Sequence, residues 1–328
     1  MDRDGYAYRL PADRIAQSPV EPRSSARLLV ATAAGPPAHQ RVADLPDLLG
    51  PGDLLVVNDS RVLPARLRLQ KRTGGEIEVL LLEQADDGSW DALVRPGRRV
   101  PPGTELVSRD GQPVMEVTDR LVEGRRRVRI LAEGVPEELG TVALPPYIHQ
   151  PLADPERYQT VYAARPGSVA APTAGLHLTD EVLRRCHEGG VRLARVDLAV
   201  GLGTFRPIAT QRVEDHRMHA ERYSVPPETM AACEAADRVI AVGTTTLRAL
   251  ESAARGSLSG RTELFVTPGF DFRVVDVLLT NFHQPRSSLL VLLAAFCGER
   301  WRELYDVALA EDYRFLSFGD AMLVNRTA

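Results

Sequence analysis

The residues of this chain that could do chemistry stand out first in one uncharged stretch, residues 167–179. Its single ionisable group is His177, and Ser168 and Thr173 add short polar side chains among glycine, alanine, proline and aliphatic residues. An imidazole exchanges protons near neutral pH, and glycines let backbone amides approach a bound molecule closely. The composition predicts a loop shaped around a ligand, and a buried connection that carries a core histidine is the alternative.

Further segments have the same character, because a short apolar strand runs into a small polar cluster. Residues 54–57 lead to Asn58 and Asp59, residues 239–242 lead to a Gly-Thr-Thr-Thr turn and a helix, and residues 274–279 lead to 280–287. Ser287 is expected to cap the apolar helix that follows it, as Thr179 is expected to cap the helix after residues 167–179. In an open sheet with helices on its faces, such strand ends converge in one crevice. We therefore expect these loops to form a shared site.

The elements that position these loops follow from hydrophobic periodicity. Between about residues 62 and 131 short alternating strands are broken by Gly and Pro turns, which is typical of an antiparallel barrel or sandwich. Strand and helix patterns alternate from residue 157 onward. The predicted fold class is α/β, a mixed-sheet main domain with an inserted all-β antiparallel barrel-like domain. The expected domains are 1–60 and 151–328 for the main domain and 61–150 for the insertion.

Composition narrows the class of protein. The chain has 328 residues, of which 44% are hydrophobic, and this is enough for ordinary cores. The longest apolar run is too short to cross a bilayer, and the first residues do not resemble a signal peptide, so we expect a cytoplasmic protein. Three widely spaced cysteines argue against a disulfide framework and against a thiolate metal site. We expect no bound metal and a monomer.

Several polar stretches resemble, in the same order, the S-adenosylmethionine:tRNA ribosyltransferase-isomerase family of queuosine biosynthesis. Together they are far more specific than a lone glycine motif. The matching stretches are residues 15–19, 58–66, 144–148, 157–162, 167–179, 200–207, 216–221, 243–252, 281–283, 313–315 and 318–322.

The resemblance implies that the ribosyl unit of S-adenosylmethionine, rather than its methyl group, is transferred. The acceptor would be 7-aminomethyl-7-deazaguanine at the wobble position of a tRNA, and the product epoxyqueuosine-tRNA, with adenine and methionine released. No cofactor beyond the consumed S-adenosylmethionine is implied. Because the sulfonium acidifies the ribose 5′ carbon, the reaction needs a base, an acid for the departing adenine and groups that tolerate a cation.

Histidine suits the base because it titrates near neutral pH. The candidate catalytic residues are His177, His283, His216, His219 and Asp59. A core histidine satisfied by hydrogen bonds is the alternative for each imidazole. His216 and His219 could with Glu221 also form part of a metal site, although no cysteine or further histidine is placed to complete it.

Substrate-binding candidates come from the same matched stretches. Acidic side chains suit adenine and ribose hydroxyls, and the turn that begins at Gly243 leads into a helix whose amides could hold the methionine carboxylate. An arginine could pair with that carboxylate or with a tRNA phosphate. Aromatic rings, Tyr147 among them, could face the sulfonium or simply pack. The candidates are Asn58, Arg61, Thr173, Gly175, Gly203, Thr204, Phe205, Gly243, Thr244, Thr245, Arg248, Glu251, Asn281, Phe282 and Asp320.

A tRNA partner has to be reconciled with a net charge of −4. Positive charge concentrates between residues 61 and 132, which offers a surface for phosphate contacts. The tRNA-binding candidates are Arg98, Arg99, Arg125, Arg126 and Arg127. The alternative is that these arginines are solvated side chains at the edges of strands and contact no nucleic acid.

Three positions depart from the family pattern. Ala199 stands where a histidine is usual, so this position can do no essential acid-base chemistry, Arg286 stands where lysine is common, and Gln284 stands where leucine is common. An S-adenosylmethionine-dependent RNA methyltransferase and a non-catalytic RNA-binding protein are the other functions considered. Against the methyltransferase stands the absence from this sequence of a glycine-rich strand-to-helix loop early in the chain. Against the RNA-binding protein stands the number of uncharged polar loops, which phosphate binding does not require.

Overall fold

The fold is that of a computed structural model, which describes residues 1–32, 34–201 and 207–327. The chain forms two compact units. The first consists of Met1–Ser60, Pro145–Arg165 and Ala171–Ala328, and the second of Arg61–Leu144 and Pro166–Ala170. The first unit contains a large mixed sheet with helices, and the second is an antiparallel barrel, so the predicted fold class is confirmed.

The strands follow one another along the described residues. They are β1 (Arg27–Ala31), β2 (Ala38–Arg41), β3 (Asp53–Asn58), β4 (Ser60–Val62), β5 (Arg66–Lys71), β6 (Glu76–Gln84), β7 (Trp90–Arg95), β8 (Thr104–Val107), β9 (Pro113–Arg120), β10 (Arg125–Ile130), β11 (Gly140–Thr141), β12 (Arg165–Ser168), β13 (Arg192–Leu198), β14 (Glu221–Ser224), β15 (Arg238–Val242), β16 (Ser259–Thr262), β17 (Val277–Asn281) and β18 (Ala321–Asn325).

The helices are mostly in the first unit. They are α1 (Leu45–Leu48), α2 (Val135–Leu139), α3 (Asp180–Glu188), α4 (Pro227–Glu234), α5 (Thr244–Ala253), α6 (Ser288–Cys297) and α7 (Arg300–Ala310). Two of them begin as the sequence predicts, because the hydroxyl of Thr179 accepts from the backbone of Val182 and that of Ser287 from the backbone of Leu290, each at 3.2 Å. Of the helices described, none has the length and apolar character that crossing a membrane requires.

The described strands of the first unit form a nine-stranded sheet in the order β16-β14-β13-β3-β15-β17-β18-β1-β2. Its central strands β13, β3, β15 and β17 are parallel, while β18 runs antiparallel to β17 and parallel to β1. All six residues of β3 are buried, as expected for a strand covered on both faces. Parallel neighbours end at the same edge, so the residues after β3, β15 and β17 lie near one another.

The second unit is a closed barrel. Its strands follow the order β5-β6-β7-β10-β9-β8, β8 pairs back with β5 through Gln70 and Val107, and β11 adds to the outer side of β5. Buried and exposed positions alternate along β5 and β7, which is the period expected for a sheet with one face in a core. Closure removes the unpaired edges that an open sheet of this size would present.

Candidate active site

A cleft opens in the first unit where the parallel strands end. It encloses about 650 Å³, counting the space open to solvent. Its walls come from the loop before α3, the starts of α5 and α6, and the segments after β17 and α7. The lining residues are Tyr147, Ala171, Pro172, Thr173, Ala174, Val200, Gly243, Thr244, Thr245, Thr280, Asn281, Phe282, His283, Gln284, Ser287, Leu289, Leu316 and Ser317.

The start of α5 forms one wall because Gly243 allows a sharp turn out of β15. Its φ of 90° lies in the region that favours glycine, and its N–H donates to the carbonyl of Leu279 at 2.8 Å. Among the described residues no side chain caps the helix there, so within that part of the chain no capping group satisfies the amides of its first turn. The backbone N–H groups of Thr244 and Thr245 lie at the positive end of this ten-residue helix.

Asn281, the last residue of β17, connects two walls of the cleft. Its amide oxygen accepts from the hydroxyl of Thr173 at 3.1 Å, and its amide nitrogen lies 2.9 Å from Nε2 of His177. The same nitrogen donates to the carbonyls of Leu316 and Asp320 at 3.2 and 3.5 Å. The structure thus brings together three residues that the sequence predicted for the site.

His283 lines the cleft and is held firmly by its backbone. Its N–H donates to the hydroxyl of Tyr305 at 2.7 Å, and its carbonyl accepts from the hydroxyl of Tyr8. Its ring Nε2 lies 3.1 Å from the hydroxyl of Thr280. Burial lowers the pKa of His283 to about 3, so the ring is neutral at physiological pH.

His177 lies behind the wall rather than in it. Burial, with smaller contributions from the positive charges of Arg314 and Arg23, lowers the pKa of His177 to about 4. Two of the predicted catalytic imidazoles are therefore neutral and buried, and their ring partners, Asn281 and Thr280, are neighbours on β17, which agrees with both a chemical and a core role.

Tyr147 and Ser317 close another side of the cleft. The two hydroxyls lie 2.7 Å apart, and burial raises the pKa of Tyr147 to about 12. Ser317 was not among the predicted site residues, although it lies between two of the matched stretches. Ser287, predicted as a helix cap, and Leu289 also line the cleft. Their positions depend on how β17 and α6 pack, which spacing along the chain does not reveal.

Asn58 is the last residue of β3, and Asp59 follows it. The amide of Asn58 donates to the hydroxyl of Thr245 at 3.3 Å and thus supports the cleft wall. Asp59 is 3% exposed, and among the described residues its Oδ1 has no hydrogen-bond partner. Burial raises the pKa of Asp59, while Arg165, at 3.7 Å from Oδ2, opposes that shift.

Gly175 contributes space rather than a functional group. A Cβ atom at this position would collide with the hydroxyl of Tyr162 and approach Thr160 to 2.9 Å. The loop can pass this point only without a side chain. The position of the neighbouring Ala174 in the cleft wall depends on that close passage.

Three polar residues predicted to bind substrate are engaged with the protein itself. Arg248 is buried and forms an ion pair with Glu221, whose other oxygen accepts from the backbone of Gly201 at 3.0 Å. Glu251 accepts from three consecutive backbone amides, residues 273–275, and pairs with an arginine one turn along α5. Asp320 accepts from the backbones of residues 27 and 314 at 2.9 and 2.7 Å.

The remaining substrate candidates are dispersed. The ring of Phe282 is fully buried, with centroids 4.8 Å from Phe315 and 5.5 Å from Tyr305, so any contact with a ligand falls to its backbone. Arg61 belongs to the second unit. Gly203, Thr204 and Phe205 lie outside the described residues.

His216 and His219 do not join the cleft lining. The ring of His216 packs edge-on against Phe265 at 5.4 Å, and burial, with the nearby His219, lowers its pKa. Glu221, the third member of the metal alternative, is instead paired with Arg248. Within the described ranges no group of three His, Cys, Asp or Glu side chains is arranged to hold a metal ion.

The arginines predicted to contact tRNA differ in their surroundings. Arg98 and Arg99 are exposed in a short turn after β7. Arg125 and Arg127 on β10 both pair with Asp91, at 3.4 and 3.0 Å. Arg126 is buried and donates to the carbonyl of Gly97 at 3.0 Å, which is a structural role within the barrel.

Comparison with known proteins gives a consistent result over the whole length. The model of the family described as "Queuosine biosynthesis protein" matches residues 3–324. An S-adenosylmethionine:tRNA ribosyltransferase-isomerase from Rubrobacter xylanophilus is 51% identical, over 99% of this chain and 98% of its own. One from Thermus thermophilus is also 51% identical, over 98% and 99%.

A solved structure is similar as well. The crystal structure of S-adenosylmethionine tRNA ribosyltransferase from Thermotoga maritima is 38% identical in sequence. The match covers 97% of this chain and 99% of the other, with a TM-score of 0.56. Sequence and fold therefore lead to the same group of proteins.

Proposed function

Because the chain belongs to the queuosine biosynthesis protein family, we propose that it transfers and isomerises the ribosyl unit of S-adenosylmethionine. The acceptor is 7-aminomethyl-7-deazaguanine at the wobble position of a tRNA, and the products are epoxyqueuosine-tRNA, adenine and methionine. The observation that carries the proposal is the full-length match to relatives of that name, whose activity requires a pocket of this kind. The enzyme is accordingly a transferase.

The cleft suits a small cation better than a nucleic-acid backbone. Its lining consists of apolar and small uncharged polar side chains with an imidazole, a mixture that is usual for small-molecule sites. Among its described lining residues there is no Lys, Arg, Asp or Glu, so phosphate contacts must come from elsewhere. A sulfonium can enter a cleft with such an uncharged lining without being repelled by a positive charge.

The start of α5 is proposed to hold the methionine part of S-adenosylmethionine. Uncapped amides at a helix N-terminus favour anions, and a carboxylate is the only anion that this substrate offers. The buried pair of Arg248 and Glu221 leaves Arg248 little freedom to reach that carboxylate. The amides of Thr244 and Thr245 are therefore the stronger binding groups.

His283 is proposed as the base. It lines the cleft, and its neutral ring is not repelled by the sulfonium. Because a pKa of about 3 makes it a weak base, removal of the proton relies on the acidity that the sulfonium gives the ribose 5′ carbon. The C–H bond at the ribose 5′ carbon breaks, its proton moves to the imidazole, and the electron pair stays on carbon as an ylide. Adenine then departs and takes a proton from an acid, for which Asp59, with its raised pKa, is the proposed group.

The tRNA is proposed to contact the exposed arginines of the barrel, Arg98 and Arg99 first. The target base lies in an anticodon loop, where extruding it is cheap. We propose that the protein acts in the cytoplasm as a monomer that needs no cofactor besides the consumed co-substrate. The methyltransferase and RNA-binding alternatives have no support from the relatives, which are named ribosyltransferase-isomerases.

Mass spectrometry of nucleosides tests the function directly. A tRNA that carries 7-aminomethyl-7-deazaguanine is incubated with the protein and S-adenosylmethionine, and released adenine is followed in parallel. Epoxyqueuosine with adenine release is the expected result, and a variant changed at an exposed residue far from the cleft, His187→Gln, should match it. A methylated nucleoside, or intact S-adenosylmethionine with folded protein, would contradict the proposal and direct attention to Ala199.

A further inference from the structure

The amide of Asn281 has only one orientation that satisfies its surroundings. One of its two polar atoms faces the carbonyl of Leu316 at 3.2 Å and that of Asp320 at 3.5 Å. Carbonyls accept and never donate, so that atom must be the amide nitrogen. The oxygen then faces the hydroxyl of Thr173, which can donate to it at 3.1 Å. The neighbours thus fix the amide without reference to any histidine.

This orientation determines the state of His177. The amide nitrogen that faces the carbonyls also lies 2.9 Å from Nε2 of His177, and its second hydrogen points there. Nε2 must therefore accept, because a hydrogen on it would meet the hydrogen of Asn281. A neutral imidazole whose Nε2 accepts carries its own hydrogen on Nδ1.

His283 is under no such constraint. Its Nε2 faces the hydroxyl of Thr280 at 3.1 Å, and a hydroxyl can donate or accept. The ring of His283 can therefore carry its hydrogen on Nε2 and present Nδ1 with a free lone pair, or the reverse. The two neutral imidazoles, which bond to neighbouring residues of β17, thus have different freedom to exchange protons.

We propose that Asn281 is a positioning residue that locks His177 in the Nδ1–H tautomer, so that Nε2 of His177 is occupied by a hydrogen bond and does not act as a base. The low pKa of His177 agrees with this, since a proton on Nε2 would abolish the hydrogen bond from Asn281. The lock is a property of the folded chain. Its importance for turnover rests on the function proposed above.

Nitrogen NMR of the free protein measures the tautomer without any substrate. In ¹⁵N-histidine-labelled wild-type protein at pH 7, the expected signals of His177 are those of a protonated Nδ1 and an unprotonated Nε2. Single His→Gln changes at the other positions and at His177 assign the signals. An Nε2–H tautomer or an imidazolium at His177 would overturn the proposal, whether or not the protein turns over its substrates.

The Asn281→Asp variant tests whether Asn281 sets the tautomer of His177. A carboxylate only accepts, so it should draw a hydrogen onto Nε2 of His177 and reverse the pattern of the two nitrogen signals. Thr280→Val, which changes the partner of His283, should leave the His177 signals as they are. An unchanged tautomer in folded Asn281→Asp would show that something other than Asn281 sets it.

Kinetics then separate positioning from folding. If adenine release confirms the proposed function, Asn281→Asp should lower kcat at least tenfold while KM for S-adenosylmethionine changes less than threefold, because the lock positions Asn281 and Thr173 in the cleft wall while the proposed carboxylate site at the start of α5 is left unchanged. A reversed tautomer with normal kcat would overturn the positioning role. Absent adenine release in the wild type would instead count against the proposed function, and the tautomer measurement would still stand.

Discussion

Asn58 and Leu198 are joined by two hydrogen bonds, from the amide nitrogen of Asn58 to the Leu198 carbonyl at 3.0 Å and from the Leu198 N–H to the amide oxygen at 3.1 Å. The side chain of Asn58 behaves like an additional peptide group, and it extends the pairing of β3 with β13 beyond the last backbone pair, Asn58 with Val196. The same amide nitrogen reaches the hydroxyl of Thr245 in the cleft wall. One fully buried side chain therefore connects the sheet to the cleft.

Asn58→Leu should lower both stability and turnover. The substitution keeps the approximate volume but leaves the N–H of Leu198 without its partner and the Leu198 carbonyl with the hydroxyl of Ser60, which should cost about 1–3 kcal/mol in the free energy of unfolding measured with urea. Asn325→Leu is a matched control, since Asn325 bonds to the backbone of Thr32 and does not line the cleft. It should lose stability while retaining kcat. Equal kcat losses in both variants would refute a specific link from Asn58 to the cleft.

Gly175→Ala should disturb the cleft through a steric clash alone, because the new Cβ meets the hydroxyl of Tyr162. We expect a loss of roughly 1–3 kcal/mol in unfolding free energy and a raised KM for S-adenosylmethionine. Gly256→Ala, at a position with open space, should be tolerated. Adding Tyr162→Phe removes the clashing oxygen and should recover part of the loss. No recovery in that double variant would show that the backbone, not the hydroxyl, sets the limit.

Glu251→Gln should affect folding more than binding. The carboxylate accepts from three backbone amides and from Arg255, and a glutamine has only one oxygen with which to replace these bonds. A loss of about 2–4 kcal/mol in unfolding free energy is expected with an unchanged KM for S-adenosylmethionine. Urea unfolding and steady-state kinetics measure the two quantities. A KM raised tenfold at normal stability would instead support the substrate-binding role that the sequence predicted.

Stability should fall as the pH is lowered from about 6.5 to 4. The pKa of His177 is lowered from its usual 6.5 to about 4 by burial, so in this range the unfolded chain takes up a proton that the folded chain does not. The contribution of the neutral His177 to the free energy of unfolding is therefore fully present above pH 6.5. Below pH 6.5 the free energy of unfolding decreases by roughly 1.4 kcal/mol per pH unit for such a group. His283, with a pKa of about 3, contributes in the same sense.

Urea unfolding of three proteins at intervals between pH 7.5 and 4 tests this dependence. His177→Gln should show a shallower decline of unfolding free energy than the wild type, because one of the two neutral buried imidazoles is gone. His187→Gln, which changes an exposed histidine on α3, should follow the wild-type slope. A wild-type slope in His177→Gln would mean that His177 is charged in the folded protein.

Arg98 and Arg99 should matter for tRNA binding more than their neighbours on β10. Changing both to glutamine should weaken binding and reduce the slope of log K against log salt by about one for each phosphate that the protein no longer neutralises. Arg184→Gln with Arg273→Gln removes the same charge from exposed positions of the first unit and is the control. Filter binding at several salt concentrations measures the slopes. Identical slopes in the two double variants would show that the loss of net charge, and not a specific contact of Arg98 and Arg99 with phosphate, weakens tRNA binding.

Much of the architecture was predictable because hydrophobic patterns are local. The apolar run at residues 54–57 predicted β3, and the alternating segments after residue 62 predicted the barrel, since strand periodicity needs no knowledge of partners. The rule that parallel strands end at one edge also predicted that Gly243 and Asn281 would share a cleft.

The rest of the site depends on contacts between distant parts of the chain. The hydroxyls of Tyr147 and Ser317 meet across 170 residues, and Arg248 finds Glu221 27 positions earlier, so spacing along the chain reveals neither pair. Sequence therefore selected Arg248 as a free cation for substrate. Its buried ion pair shows that polarity alone does not distinguish a ligand-binding side chain from one that holds its own backbone.

The place of β18 in the sheet has a consequence for the order of events during synthesis. β1 enters the sheet through β18, and Asp320 beside that strand accepts from the backbone of Arg27, 293 residues earlier. A ribosome makes β1 and β2 long before the strand that receives them, so this hairpin must wait unpaired beside the growing chain. Leu316 and Ser317 of the cleft are made equally late. A nascent chain should thus be unable to bind S-adenosylmethionine until β18 has been synthesised, and pairing over so long a sequence separation favours slow folding.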